Sequence, residues 1–175
     1  MPRTKTIPDL AIFAAIRGLL ARKGDKAVSF SSVAQVTGLA AATLVQRYGS
    51  RDQMVKAALQ AAWDALDART EAAALATLDK GPHAFLKALS AEADPDAMEE
   101  ADLGLLATDM RDAALRLRAT AWRAAVEAAL TTRMRSGERG RDAATMLFAA
   151  WQGQLLWERA GGKAFRLKDA ARRLL

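Results

Sequence analysis

Cysteine is absent from the 175 residues, and histidine and tyrosine occur once each. The first absence removes disulfide frameworks, thiolate metal sites and cysteine nucleophiles together. The scarcity of histidine leaves His83 as the single candidate imidazole base and offers no pair for a zinc site. No nucleophile–base pair or cofactor motif stands beside it, so an enzyme reading would rest on His83 alone. The acids Asp94, Asp96, Glu99, Glu100 and Asp102 cluster without a histidine, and electrostatics at a helix start explain them better than a metal. With 11 Gly and 4 Pro there is no low-complexity character. No segment approaches the ~18 consecutive apolar residues of a membrane span. Met1-Pro2-Arg3-Thr4-Lys5 is basic, but Asp9 and Arg17 interrupt the apolar stretch downstream, unlike a secretory leader. A cytoplasmic protein without metal or cofactor is expected.

Alternating strand patterns are also scarce, whereas alanine, the best helix former, dominates many segments. The spacing predicts a first helix over residues 8–23, with Leu10, Phe13, Ile16 and Leu20 on one face and Thr6 as its cap. Short helices are expected over 30–37, capped by Ser29, and over 41–48. Ser50 starts a long helix over 51–79, with Val55, Leu59, Ala62 and Leu66 in a row; Lys80-Gly81-Pro82 ends it. Phe85, Leu86 and Leu89 mark a short helix, and Asp94-Pro95 begins another. Long helices are expected over 110–135, with Leu117, Ala121, Val126, Leu130 and Met134 aligned, and over 140–160. An amphipathic tail covers 167–175. The chain reads as all-α.

The net charge of +6 is localised. Residues 1–56 carry nine basic and three acidic groups, while the other 119 carry 17 of each. Such asymmetry suits a segment that meets a polyanion, or a solvated surface that is basic by chance. Within that third, Ala34 is small where two steeply crossing helices must approach, and Gly38 permits the positive φ of a tight inter-helix turn. Val33, Leu39 and Leu44 are spaced to fill the wedge between those helices and the first.

Together, Val28-Ser29-Phe30-Ser31-Ser32-Val33-Ala34, Thr37-Gly38-Leu39 and Thr43-Leu44-Val45-Gln46-Arg47-Tyr48-Gly49-Ser50-Arg51-Asp52-Gln53-Met54 resemble the N-terminal domain of TetR-family transcriptional regulators. The resemblance covers about residues 7–60 and is most specific at the aromatic-Gly-Ser-Arg-Asp ending. It implies a three-helix helix-turn-helix DNA-binding domain, residues 1–52, and a helical effector-binding and dimerisation domain, residues 53–175. It further implies a homodimer that binds a palindromic operator on double-stranded DNA, action as a repressor, and release by a small ligand. The pattern departs from the family where Val45 replaces a usual aromatic and where Ala40-Ala41-Ala42 offers no polar group. Base readout then falls to Gln46 and Arg47, with apolar contacts from Ala41, Ala42 or Val45 to thymine methyls. Ser31, Thr43 and Arg51 are candidates for phosphate contacts. The positive charge of Arg51 opposes the helix dipole at its position, so an anionic partner is expected there. Tyr48 reads as a wedge in the small domain's core, and Arg3 and Lys5 as either a groove-tracking arm or a solvated terminus.

Aromatic and methionine side chains downstream suggest an apolar effector pocket, with Trp63, Phe85, Met98, Met110, Trp122 and Phe148 as candidates. Ordinary core filling is the alternative for each of them. In the last long helix, Ala149, Gly153, Leu156, Trp157 and Ala160 share a face that would let a second copy approach. A glycine inside a helix costs ~1 kcal/mol relative to alanine, so a packing reason is expected for Gly153, either at a dimer contact or against the preceding helix. A second reading keeps the fold without DNA recognition, as a lipid- or isoprenoid-binding accessory protein. There the tail with Arg166, Lys168, Arg172 and Arg173 would touch a membrane surface; the leading reading has no membrane partner.

Overall fold

The computed structural model describes residues 7–90, 109–134, 137–159, 161–163 and 166–174, all helical or in turns and connections. The expectations placed on Arg3, Lys5, Thr6, Met98, Ala160 and the Asp94–Asp102 stretch lie outside them. Among the described residues, eight α-helices occur in order: α1 Asp9–Lys23, α2 Phe30–Thr37, α3 Ala41–Tyr48, α4 Arg51–Ala76, α5 Pro82–Ser90, α6 Ala113–Thr131, α7 Glu138–Arg159 and α8 Leu167–Leu174. A 3₁₀ turn, Asp25–Ala27, separates α1 from α2. One compact unit falls within Met1–Ala65 and Ala93–Arg118, the other within Leu66–Glu92 and Ala119–Leu175. The long α4 contributes residues to both.

Local chemistry sets the helix ends in the first unit. Ser29 and Ser32 form a reciprocal capping box: the Ser32 amide donates to Ser29 Oγ at 3.0 Å and the Ser29 amide to Ser32 Oγ at 2.9 Å. Such a cap satisfies two otherwise orphaned amides and stabilises a helix start by roughly 0.5–2 kcal/mol. Gly38 stops α2 in the left-handed region, φ 72° and ψ 14°, where a β-carbon would be strained. Ser50 caps α4 by accepting the Gln53 amide at 3.2 Å. The core here is Ile12, Ile16, Leu19 and Leu20 of α1 with Val33, Leu44, Met54 and Val55.

The expected apolar face of α1 is corrected at one position: Leu10 is 74% exposed, and Ile12 takes its place inward. Two residues turn a helix by about 200°, so a core row of 12, 16, 19 and 20 puts residue 10 outside. A similar shift occurs in α6, where Leu115, Trp122, Val126 and Leu130 are buried and Leu117 is 72% exposed. Asp112 begins that helix by accepting the amides of Ala114 at 2.8 Å and Leu115 at 3.1 Å. Its carboxylate also meets Lys56 Nζ at 2.9 Å, and Asp64 meets Arg118 at 2.7 Å, so two ion pairs join α4 to the start of α6. The hydrogen bond from Lys56, with the Leu115 amide, holds the Asp112 carboxyl below its ordinary pKa.

The second unit is centred on aromatic rings. Trp122 of α6 packs edge-on to Phe148 of α7, with centroids 5.8 Å apart, and Trp151 lies 6.4 Å and 6.0 Å from the two. Both buried indoles are satisfied: Trp122 donates to Thr70 Oγ1 and Trp151 to Ser90 Oγ, each at 2.9 Å. Arg133 closes the C-terminal end of α4 by donating to the Ala74 carbonyl at 2.8 Å, and its guanidinium lies 4.8 Å from the Phe85 ring centroid. The amphipathic α8 packs against α5 and α7 and buries Ala171. None of the described helices is long and apolar enough to cross a membrane.

Candidate nucleic-acid interface

α3 is a helix with a single side chain sunk in the core. Among the eight residues of α3 only Leu44 is fully buried, seated with Val33 in the small core. Ala41, Ala42, Thr43, Val45, Gln46 and Arg47 are all exposed, as is Ser31 at the start of α2. Residues 41, 42, 45 and 46 have the i, i+1, i+4, i+5 spacing of one helical face, which leaves a shallow surface interrupted by one amide side chain. The structure therefore places Ala41, Ala42, Val45 and Gln46 on one accessible strip, while Arg47 is engaged with Ile7 and Asp9.

The C-terminal end of α3 is pinned to α1. Tyr48 donates its hydroxyl to Asp9 Oδ1 at 2.6 Å, and its ring lies 6.0 Å from that of Phe13. Arg47 Nη1 donates to the Ile7 carbonyl at 3.1 Å and sits 3.3 Å from Asp9 Oδ1. Burial, then the hydrogen bond to Asp9 and its negative charge, push the Tyr48 pKa up to about 12. The neutral phenol is favoured in the folded state, so this contact stabilises the fold below pH ~10 and is lost as the pH rises through 12. The long sequence separation hid these partners of Asp9 from the sequence.

Arg51 has an internal role. Its guanidinium donates to the Val28 carbonyl at 3.1 Å, to the Asp25 carbonyl at 2.6 Å and to the carboxylates of Asp25 and Asp52. It ties the first turn of α4 to the connection between α1 and α2. A cation at a helix start did need anionic company, and the fold provides it from Asp25 and Asp52. The sequence displayed the unfavourable sign but not the identity of the partner.

The pocket candidates divide between the units. Trp63 and Met110 belong to the first, and Phe85, Trp122 and Phe148 to the second. Trp122 and Phe148 fill space against one another and Trp151, Phe85 is wholly buried beneath Arg133, and Met110 is 58% exposed. Trp63 is buried, and its indole lies near the carboxylate of Asp109, a residue to which no motif in the sequence pointed. On α7, Ala149 is exposed, Gly153 and Leu156 are partly exposed, and Trp157 is 65% exposed. A β-carbon added at Gly153 would meet nothing within 4 Å among the described residues, so the intrachain packing does not require glycine there.

These features define a helical protein with an N-terminal helix-turn-helix, the architecture expected from the sequence. The same fold occurs in SCO7518, a candidate transcriptional regulator from Streptomyces coelicolor A3(2), at a TM-score of 0.65 and 20% identity over 95% of this chain and 96% of that one. It also occurs in the multidrug binding protein EbrR complexed with imidazole, at a TM-score of 0.65 and 21% identity over 97% and 94% of the two chains. No protein-family model and no curated protein sequence matches the chain.

Proposed function

We propose that this protein is a ligand-responsive transcriptional regulator of the TetR type, acting as a homodimer and most simply as a repressor. The observation that carries the reading is α3: a short helix in the basic third of the chain, with six of its eight side chains exposed and its end fixed by Tyr48 and Arg47. Gln46 reads base edges, Ala41, Ala42 and Val45 meet thymine methyls, and Ser31 and Thr43 contact phosphates, whereas Arg47, expected beside Gln46 as a base reader, is held by the Ile7 carbonyl and Asp9. Arg51 contributes by holding the N-terminal end of α4. The likeness in fold to SCO7518 and EbrR supports the reading as fold analogy.

A two-fold symmetric operator calls for a symmetric pair, whose two recognition helices enter successive major grooves about 34–36 Å apart. The exposed strip of Met146, Ala149, Gly153 and Trp157 on α7 supports a second copy as its occupant, because small residues allow close approach and Trp157 supplies area. An effector relieves DNA binding only if it prefers one conformation over the other. The accessory-protein alternative draws on the alanine-rich start of α3, and the tail that it would set against a membrane packs on α5 and α7 and buries Ala171. Selection from a random duplex pool tests the proposal: a two-fold symmetric sequence is enriched, and its affinity falls about a hundredfold between ~50 and ~200 mM salt. Absence of enrichment, or affinity indifferent to salt, would refute it.

A further inference from the structure

Arg47 is the one charged side chain of α3, and the fold already holds it. Its Nη1 lies 3.3 Å from Asp9 Oδ1 and donates to the Ile7 carbonyl at 3.1 Å, so both partners belong to the chain at the start of α1. The same carboxylate oxygen accepts the Tyr48 hydroxyl at 2.6 Å. Asp9 is the only acid of α1, whose other charged residues are Arg17, Arg22 and Lys23. Across residues 41–56 every cation is paired with an acid: Arg47 with Asp9, Arg51 with Asp25 and Asp52, and Lys56 with Asp112. The Arg47 pair sits at the surface, with 35% of the arginine side chain and 54% of the aspartate exposed, so a phosphate has access to it.

An ion pair without net charge displaces no counterion when it meets DNA, and it adds nothing to the salt-dependent, sequence-independent part of binding. Turning Arg47 to a phosphate strips Asp9 of its cation. The bare carboxylate then lies within one Debye length of the phosphate chain, ~10 Å at ~0.1 M salt. A guanidinium grips carboxylate and phosphate by the same charge-assisted hydrogen bonds, so the exchange gains little. We infer that Asp9 is a specificity-determining residue that withholds Arg47 from the DNA backbone, leaving α3 to bind through its neutral strip of Ala41, Ala42, Val45 and Gln46. Asp9 acts through Arg47 as a positioning residue, itself steadied by the Tyr48 hydroxyl. Its role in operator choice rests on the regulator reading above. The electrostatic part is measured on DNA of arbitrary sequence, so it fails separately from the enrichment of a symmetric site.

The test uses the full-length protein and anisotropy titrations of a fluorescein-labelled random-sequence duplex between ~50 and ~200 mM salt. Asp9→Asn binds about threefold or more tighter than the parent at the low-salt end, and its plot of log affinity against log salt steepens by about 0.9 per chain bound. Asp9→Glu keeps an acid within reach and retains the parent slope. Arg47→Ala also retains it, and in that background Asp9→Asn no longer steepens it. Tyr48→Phe removes the hydroxyl and spares the ion pair; it leaves the slope unchanged, which separates a structural role for Asp9 from the electrostatic one. An unchanged slope in Asp9→Asn, a flattened one in Arg47→Ala, or equal steepening with and without Arg47 would each overturn the inference. So would the failure of both parent and Asp9→Asn to bind the duplex at ~50 mM salt.

Discussion

α3 and α7 use their side chains in opposite ways. α3 buries Leu44 and displays most of the rest, whereas α7 sinks Ala143, Ala144, Leu147, Phe148 and Trp151 into an aromatic core. α3 owes its position to contacts at its end, through Tyr48 and Arg47, and to a single apolar plug. α7 is held along most of its length. Substitutions on α3 should therefore change what is recognised while leaving folding intact, and substitutions on the inner face of α7 should do the reverse.

The largest expected effect breaks the packed helix. Trp151→Ala removes a ring that packs with Trp122 and Phe148 and the hydrogen bond its indole donates to Ser90, at a cost of about 3–5 kcal/mol in urea unfolding. Molecules that remain folded should keep their DNA affinity. If DNA affinity fell while stability held, the division of labour between the two helices would be wrong.

Gln46→Ala should lose about 1–3 kcal/mol of duplex binding. Its folding free energy should move by less than ~0.5 kcal/mol, since the side chain is exposed. Anisotropy titrations and urea melts of the same preparations separate the two quantities.

The outer face of α7 is tested at Gly153. Replacement by Leu should raise the dimer dissociation constant by about tenfold or more in sedimentation equilibrium, as bulk enters a close helix approach. Open space around this position within the chain means that folding of the subunit should tolerate the change. An unchanged association would move the interface elsewhere.

Two titrations probe the first unit. Asp109 has a folded pKa of about 6, above the ordinary carboxylate value of 3.8, so its contribution is most favourable below pH ~4 and is lost as the pH rises through 6. Between those limits wild type should lose on the order of 1–3 kcal/mol relative to Asp109→Asn. Urea unfolding at pH 4.5 and pH 7.5 measures the difference, and parallel curves would contradict it. The smallest effect is spectroscopic. Tyr48 is the only tyrosine, so phenolate absorbance reports it alone; its midpoint should lie near 12 and fall only part of the way to 10 in Asp9→Asn, because burial is the largest cause of the shift.

Local rules made the helix-turn-helix legible. Ser29 before Ser32 and Gly38 after Thr37 fix helix ends through groups only a few residues apart, and the structure uses both. Rotation of the alanine-rich helices is harder to read. With few large side chains per turn, α1 and α6 allow more than one apolar row, and the rows through Leu10 and Leu117 are not the buried ones. The contacts that hold the interface in place are illegible for another reason. Tyr48 with Asp9, Arg51 with Asp25, and Trp63 with Asp109 join residues far apart in sequence, and nothing local marks an acid that will be buried. Arg51 is the exception, because its sign against the helix dipole announces that some anion has to be near.

The most direct test of α3 as the reading element compares wild type and Gln46→Ala on a set of duplexes that differ from the selected sequence by one base pair each. If α3 reads the bases, the variant ceases to discriminate at one position in each half-site and discriminates as before at all others. A uniform loss across the set, or no change at any position, would show that it does not.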